Sequence, residues 1–534
     1  MPMKGKPLAA AGLAAAIACS ALAGCSGSSG TNAQESTGVD SAPAARNEAA
    51  ERPAKKSEAA GSTAAADVAS SEPAPPAYGK SMPAPPNGEA YDDMYFDHAG
   101  TNPFIATEED PLSTFAVDVD TGSYAIVRNY IEGGALPPED AVRVEEFVNY
   151  FEPGYPAPKD QTFAIHADGG SSPFGEGYEL LRIGIKGKEI EAADRPPANL
   201  TFVIDVSGSM DRDNRLGLVK QSLHLLVDSL EPSDQVAIVT YGSDARVALE
   251  PTSLEDKSAI EAAIDALAPS GSTNAEEGLS LGYQVAERQW SRDAINRVIL
   301  CSDGVANVGE TSAEGILDTI REYAGDQNIT LTTVGFGMGN YNDTLMEQLA
   351  NQGDGVYAYV DSFTEARRLF VENLAGTLQT IATEAKIQVE FDPEAVERYR
   401  LLGYENRDLR DEQFRDDGAD AGEVGAGHAV TALYEVKLTG DDARDRLGTA
   451  RLRYVDADTN RVEEWSAPLR TSGELSDELR FLAAVAEYAE LLRGSYWAKD
   501  GSMDDVLELA EASARDEREL QFVTMVKDTL ALMR

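Results

Sequence analysis

Side chains with oxygen donors occur in three separate segments of the sequence. Asp205, Ser207 and Ser209 form a DxSxS pattern directly after the apolar run FVI. Thr273 lies in a GST segment, and Asp303 follows a second apolar run. In open α/β sheets, ligands bind beyond the carboxyl ends of the strands. We therefore expect these residues to meet at one edge of a sheet.

The residue types favour a small, hard cation. Mg²⁺ prefers near-octahedral oxygen ligands and seldom accepts a cage made only of protein atoms. The DxSxS alternation places its polar side chains on one side of a turn, and Gly208 allows the tight backbone that this requires. Hydroxyls with two outer carboxylates would leave a position for water or for an incoming carboxylate. The sequence predicts a Mg²⁺ site, with Ca²⁺ or Mn²⁺ as the other candidates.

The composition excludes several other classes of protein and site. The 534 residues contain 92 Asp and Glu against 45 Lys and Arg, which gives a net charge of −47 at pH 7. Such a chain repels polyanions, so we expect no nucleic-acid partner. With 3 Cys and 4 His, the chain cannot build a disulfide framework, a thiolate zinc site or a His-rich metal site.

The N-terminal residues 1–24 have the features of an export signal. Lys4 and Lys6 precede an apolar run that is too short to cross a bilayer and ends in small residues. The sequence LAGC then resembles a bacterial lipobox, which implies cleavage before Cys25 and lipid attachment to its sulfur. Plain secretion is the alternative. We expect an exported, extracytoplasmic protein that contacts a bacterial membrane through this lipid anchor only.

Residues 25–103 are rich in Ala, Ser, Pro, Gly and Glu and have no periodic apolar pattern. Such a segment cannot offset its ordering entropy by burial, so we expect a disordered tether, with order beginning near Pro111.

The middle of the chain, residues 198–383, alternates between strand and helix patterns. This alternation predicts an α/β fold with a doubly wound, mainly parallel sheet covered by helices on both faces. The predicted strands are 200–204, 235–241, 245–249, 297–302, 329–335 and 355–360. The short spacing between the second and third predicts an antiparallel edge strand, and residues 363–381 predict one long final helix.

The sequence on either side of this insert predicts three further regions. They are an N-terminal α/β unit at 104–160, a β-sheet domain made of 161–197 and 384–470, and a helical region at 471–534. In the first unit we expect a strand at 113–119 and helices at 121–132 and 138–151. The short β-like runs before and after the insert need partners, so we expect them to form one domain.

The insert resembles a von Willebrand factor A domain with a metal-ion-dependent adhesion site. That resemblance implies Ser207 and Ser209 as direct ligands of the ion. It implies that Thr273 binds the ion directly when a partner is engaged and through water otherwise. Asp205 and Asp303 would act mainly as hydrogen-bond acceptors beside the ion.

The flanking regions resemble those of the bacterial YfbK-like von Willebrand A lipoproteins. This likeness rests on TFAVDVDTGSYAIVRNYI and VRVEEFVNYF before the insert, and on KIQVEFDP and ELRFLAAVAEYAELLRGS after it. Ser302 departs from the domain pattern, which frequently has Thr there. The family implies this architecture and a cell-envelope location without a settled biochemical activity, and we expect no enzyme.

A second motif, DVDTGS at 118–123, leaves several interpretations open. DTGS is typical of aspartic proteases, but these need a second such motif and the sequence has none. The order DxDxT resembles haloacid-dehalogenase-type phosphatases, in which Asp118 would be the nucleophile and Asp120 the general acid. A second divalent-ion site, and helix capping by Asp120 or Thr121, are the other interpretations.

These observations favour a lipid-anchored protein that binds a protein ligand, which would offer an Asp or Glu carboxylate to the ion. A structural or assembly role in an envelope complex, with an auxiliary metal site, is the alternative. An Asp118-dependent phosphohydrolase is a third hypothesis. Cys301 ends a predicted buried strand, where we expect it to be a small core residue and not a nucleophile.

Overall fold

A computed structural model describes residues 96, 98–191, 194–304, 315–316, 318, 329–337, 341–419 and 421–534. The predicted signal segment, Cys25 and the tether up to residue 95 lie outside the described residues. The described residues all belong to one unit, Lys80–Arg534. Order begins before Pro111, because the Asn102 Nδ2 atom donates to the carbonyls of Leu401 at 3.2 Å and Gly403 at 2.8 Å.

Strands and helices alternate in the middle of the described chain, and strands dominate on both sides of it. The strands are β1 Ile105–Ala106, β2 Leu112–Ala116, β3 Phe163–Ser171, β4 Glu179–Gly187, β5 Ala198–Asp205, β6 Gln235–Tyr241, β7 Ala245–Ser253, β8 Ile295–Ser302, β9 Thr330–Phe336, β10 Tyr357–Val360, β11 Thr380–Phe391, β12 Val396–Leu402, β13 Gly422–Gly425, β14 Ala429–Leu438, β15 Gly448–Asp456 and β16 Arg461–Leu469. The α-helices with described ends are α1 Gly122–Glu132, α2 Val144–Asn149, α3 Arg215–Ser229, α4 Lys257–Asp265, α5 Ala275–Gln289, α6 Asp343–Gln352, α7 Phe363–Arg367, α8 Leu374–Leu378, α9 Asp477–Leu492, α10 Met503–Ser513 and α11 Glu517–Met533.

The central sheet has the strand order β10-β9-β8-β5-β6-β7. Its pairs are parallel except for β6 with β7, which are antiparallel. Alternate residues of β5 enter two different cores: Phe202 packs with α3 and α4, whereas Val203 packs with α5. Burial on both faces explains why β5 is a continuous apolar run. The predicted doubly wound α/β sheet and its antiparallel edge strand are confirmed.

The single long helix predicted at 363–381 is wrong. The structure divides this segment into α7, a π-helical turn at Arg368–Glu372 and α8, and the chain has already entered β11 at Thr380. The break lies at Asn373, whose N–H donates to the carbonyl of Arg368 five residues earlier. Leu369, Leu374 and Leu378 remain in one core across the break. Apolar spacing reports which residues are buried and not whether the helical hydrogen bonds continue.

The second helix predicted in the N-terminal unit, at 138–151, is also interrupted. A 3₁₀ turn at Glu139–Ala141 is followed by extended backbone at Arg143, and only then does α2 begin. Arg143 is held in this extended conformation because its N–H donates to Ser123 Oγ at 2.9 Å. Its guanidinium can then reach acidic groups outside the unit.

Two antiparallel sheets flank the insert. One has the order β1-β12-β14-β4-β3, and the other has the order β13-β11-β15-β16, with β2 added on β11. Because β4 pairs with β14 and β2 pairs with β11, residues before and after the insert share both sheets. The sequence did not predict β1, β12, β13 or β16. The inner faces form one core that includes Leu181 and Tyr434.

The C-terminal helices α9, α10 and α11 pack with α2 around a separate apolar core. Within the described residues, we find no helix with the length and apolar character needed to span a membrane.

Candidate metal site

The five predicted site residues lie at the carboxyl ends of β5 and β8 and in the loop between α4 and α5. All are buried, with exposed fractions of 5% or less. Asp205 ends β5, and Asp303 follows directly after β8. These parallel strands are neighbours, so the carboxylates lie at the same sheet edge.

Direct hydrogen bonds join the three residues of the DxSxS pattern. The Ser207 and Ser209 hydroxyl oxygens are 2.9 Å apart. The Ser207 N–H donates to Asp205 Oδ1 at 2.7 Å, and the Ser302 hydroxyl donates to Asp205 Oδ2 at 3.1 Å. Asp205 is therefore fixed through both oxygens.

Backbone hydrogen bonds bring the Thr273 loop against the DxSxS loop. The Gly208 N–H donates to the carbonyl of Gly271 at 3.1 Å, and the Ser270 N–H donates to the carbonyl of Val206. Gly271 has a φ of +85°, a conformation that side chains rarely adopt, and a Cβ there would lie 2.6 Å from the Ser243 backbone nitrogen, so this turn needs glycine. The loop that carries Thr273, which is fully buried, thus packs against the loop that carries the two serines.

The electrostatics of the site favour a cation. Burial and the nearby Asp303 raise the pKa of Asp205 to about 7. Asp303 Oδ2 accepts a hydrogen bond from Arg215 Nη1 at 2.7 Å. Its other oxygen, Oδ1, is buried and has no hydrogen-bond partner among the described residues. Two buried carboxylates with one arginine leave negative charge that a bound cation would offset.

This donor set fits a small divalent ion. Two adjacent hydroxyls and two carboxylates are oxygen ligands of the kind that Mg²⁺ takes, and the set holds too few carboxylates for a closed cage. The described residues contain no group of three or more His, Cys, Asp or Glu placed to hold a metal.

Sequence reasoning missed the contribution of Arg215. This residue begins α3 and is 4% exposed, and it pairs with Asp303. It stands directly before the apolar stripe of a helix, where a charged residue ordinarily indicates the solvated face. The sequence does hold one signal for Arg215: it lies six residues after the DxSxS pattern, on the same strand-to-helix connection.

The second motif, DVDTGS at 118–123, makes contacts that support the structure. Asp118 and Asp120 are 5% and 4% exposed. Arg407 Nε donates to Asp118 Oδ2 at 3.0 Å, and the Tyr357 N–H donates to Asp120 Oδ1 at 3.2 Å. The predicted capping is wrong, because Thr121 is the cap residue of α1 and makes no capping hydrogen bond with its side chain. Both carboxylates face other parts of the protein.

Cys301 is 1% exposed, and burial raises the pKa of its thiol to about 12. The thiolate needed for nucleophilic chemistry is thus disfavoured, as expected for a core residue.

Comparison with known proteins identifies the class of the central fold. The family model "von Willebrand factor type A domain" matches residues 199–372, and the model "von Willebrand factor" matches residues 90–182. This is a von Willebrand factor type A domain protein, and such a domain is a general protein-interaction and adhesion module. Among solved structures, the von Willebrand factor type A protein from Catenulispora acidiphila has a TM-score of 0.42 at 17% identity, covering 71% of this chain and 91% of that one.

The flanks identify the family. The model "Uncharacterized protein YfbK, C-terminal" matches residues 376–532. The uncharacterized protein YfbK of Escherichia coli (strain K12) is 38% identical over 447 residues, which cover 78% of this chain and 77% of that protein. The chain therefore belongs to the YfbK family.

More distant relatives share a smaller part of the chain. The uncharacterized protein sll0103 of Synechocystis is 31% identical over 215 residues, covering 40% of this chain and 50% of that protein. The human inter-alpha-trypsin inhibitor heavy chain H4 is 27% identical over 222 residues, covering 39% and 23%. The matched families and relatives give no catalytic activity for this chain.

Proposed function

We propose that the protein captures a protein partner through a divalent ion, Mg²⁺ or Ca²⁺ or Mn²⁺, at the von Willebrand A site. The observation that carries this proposal is the buried pair of serine hydroxyls, 2.9 Å apart, beside two carboxylates at adjacent strand ends. Neutral ligands neutralise little of a cation's charge, so a partner's Asp or Glu carboxylate is the chemistry that such a site attracts.

Each residue has a separate part in this proposal. Ser207 and Ser209 would hold the ion directly, and Thr273 would bind it directly or through water. Asp205 orients this set, because it accepts from the Ser207 N–H and the Ser302 hydroxyl. Asp303 would contribute charge and accept a hydrogen bond from a water bound at the site. A bound ion would supply positive charge and a free coordination position for the partner's carboxylate.

We further propose that the chain is exported and anchored through a lipid on Cys25, with residues 25–103 as a tether. The support is the basic and apolar segment before the LAGC sequence. We expect a radioactive fatty acid to label the parent chain and not the Cys25→Ser variant. Unchanged labelling of the variant would contradict the anchor.

The test of the metal site compares the full chain with Asp205→Ala and with a matched control. Asp211→Ala removes an exposed carboxylate from the same connection. We expect Mg²⁺ binding in calorimetry, and partner capture from envelope extracts, for the parent and for Asp211→Ala. Both should be absent for Asp205→Ala or when EDTA is present, while circular dichroism stays unchanged. Capture that persists in EDTA would contradict the proposal.

A structural role in an envelope complex is the second candidate, and one observation favours it. The family match at 376–532 lies outside the von Willebrand A match, so the flanking sheets and helices are a shared feature of the family. If Asp205→Ala binds no Mg²⁺ but assembles with the same partners as the parent, this second function is the correct one.

A further inference from the structure

Arg215 places a permanent positive charge at the back of the proposed metal site. Its Nη1 atom donates to Asp303 Oδ2 at 2.7 Å, and both side chains are buried, at 4% and 0% exposure. A guanidinium stays protonated in proteins, so this charge is present whatever the pH. The opposite oxygen of Asp303, Oδ1, has no hydrogen-bond partner among the described residues.

The position of Arg215 is built into the fold. Gly337, directly after β9, has a φ of +91°, and a Cβ atom there would lie 2.2 Å from Arg215 Nε and 2.5 Å from its Cδ. Any residue other than glycine would therefore displace the arginine. The Tyr359 hydroxyl donates to the Gly337 carbonyl at 2.8 Å and fixes this backbone. The ends of three elements, α3, β9 and β10, thus combine to hold the guanidinium on Asp303.

The charge balance of the site depends on this residue. With Asp205 and Asp303 both ionised, Arg215 leaves the site with one net negative charge, which a divalent ion would convert to one net positive charge. Without the arginine, the empty site would carry two negative charges and the loaded site would be neutral. In a buried site, a single charge a few ångströms away changes affinities strongly. Arg215 should thus weaken ion binding and strengthen the attraction of the bound ion for a carboxylate.

We propose that Arg215 is a positioning residue and internal counter-ion, which lowers the affinity of the site for the divalent ion and raises the affinity of the loaded site for a carboxylate. This inference rests on the proposed metal site. It predicts opposite effects on two affinities, whereas an arginine that only supports the fold would weaken both when removed.

The test uses the full chain, with Mn²⁺ as the ion and acetate as the carboxylate. Mn²⁺ binding is measured by electron paramagnetic resonance, and acetate binding by the fall in water-proton relaxation as acetate replaces water on the bound ion. We expect Arg215→Gln to bind Mn²⁺ about tenfold more tightly or better, and acetate at least about fivefold more weakly. Arg215→Lys keeps the charge and should stay within about threefold of the parent for both.

Lys220→Gln is the matched control, because it removes the same charge from the same helix, where Lys220 Nζ donates to the carbonyl of Asp265. It should change neither affinity. If Arg215→Gln fails to fold, Arg215→Met replaces it, and recovery of folding by Mn²⁺ would support the inference because the ion then supplies the missing charge. Failure of both neutral variants to fold in saturating Mn²⁺ would overturn it.

The outcomes separate this inference from the proposed function. A parent chain that binds no Mn²⁺ contradicts the metal site itself. A parent that binds Mn²⁺, with an Arg215→Gln variant that binds it equally or more weakly, leaves the proposed function standing and overturns the role of Arg215.

Discussion

Two buried acidic clusters in this protein share most of their chemistry but differ in what balances their charge. The first is the proposed metal site. The second, the junction cluster, lies where the N-terminal unit meets α6 and the turn after β12, and it consists of Asp118, Asp120, Arg143, Glu145, Glu146, Asp343, Glu347 and Arg407. In both, burial and neighbouring carboxylates raise carboxyl pKa values, as for Asp205 and Asp120. Each also contains a buried carboxylate oxygen without a hydrogen-bond partner among the described residues.

In the junction cluster, arginines pair with the buried carboxylates. Arg143 Nη1 donates to Asp343 Oδ2 at 2.8 Å, and Arg143 Nε donates to Glu146. Arg407 Nη2 donates to Glu347 Oε1 at 3.2 Å and its Nε donates to Asp118. At the proposed metal site one arginine, Arg215, pairs with Asp303, whereas Asp205 accepts from the Ser302 hydroxyl. Raised pKa values therefore do not distinguish the two clusters, whereas the neutral hydroxyls at the strand ends of the proposed metal site do.

The largest expected effect is the loss of a junction arginine. In Arg143→Met, the carboxylates of Glu146 and Asp343 remain buried without their partner, which costs about 3–5 kcal/mol of unfolding free energy. Urea denaturation measures this loss. Arg480→Met is the control, because its pair with Asp477 is largely exposed and should contribute less than about 1 kcal/mol. Equal losses in the two variants would mean that the junction does not depend on this ion pair.

The effect of Mg²⁺ on stability should also distinguish the proposed metal site from the junction cluster. At a Mg²⁺ concentration about 100 times the dissociation constant, the parent gains about 2.7 kcal/mol of stability. Ser209→Ala removes one predicted ligand from the hydroxyl pair and should lose this gain, whereas Arg143→Met should keep it despite its lower stability. Thermal unfolding with and without Mg²⁺ measures the difference. If Mg²⁺ stabilises Ser209→Ala as much as the parent, the ion does not bind at these hydroxyls.

The pH dependence of stability should come partly from the junction cluster. Burial, with repulsion from Glu405 and Asp118, raises the pKa of Glu145 from 4.5 to about 7. The folded state therefore retains a proton that the unfolded chain releases. This stabilisation is complete below pH 4.5 and is lost as the pH rises through 7, with a slope of up to about 1.4 kcal/mol per pH unit.

Glu145→Gln tests this sign, because its amide cannot release a proton. Urea unfolding between pH 5 and pH 8 should show a smaller fall in stability for the variant than for the parent, by up to about 2.5 kcal/mol. Glu152→Gln, at an exposed position in the same unit, should follow the parent. A parent whose stability rises over this range in a Glu145-dependent way would show that Glu145 is ionised in the folded protein.

The placement of the five candidate site residues at one sheet edge was more predictable from the sequence than the junction cluster, for a physical reason. Asp205, Ser207 and Ser209 are adjacent in sequence, and the strand-end rule of parallel sheets relates them to the loops that carry Thr273 and Asp303. The alternation of strands and helices that defines the sheet is a local signal of the same kind.

The junction cluster depends on contacts between residues that are far apart in the chain. Arg143 meets Asp343 across 200 residues, and its extended backbone interrupts an apolar pattern that otherwise predicts a continuous helix. Strand β12 was missed for a similar reason. It contains Arg400, which looks solvated in the sequence but is buried by ion pairs with Glu435 and Glu490. Such pairs become visible only in the folded chain.

The smallest expected effect is that of Ser302→Thr, at the position that departs from the domain pattern. The Ser302 hydroxyl donates to Asp205 Oδ2 and accepts the Gly304 N–H at 3.1 Å, so it links the two carboxylate-bearing loops. Ser302→Thr keeps both hydrogen bonds and should change stability and Mg²⁺ affinity by less than about 1 kcal/mol. Ser302→Ala leaves a buried carboxylate oxygen without its donor and should cost about 1–3 kcal/mol. Calorimetric titration and urea unfolding of the two variants measure the difference, and an alanine variant that binds Mg²⁺ as the parent does would show that Asp205 is held in place without this hydroxyl.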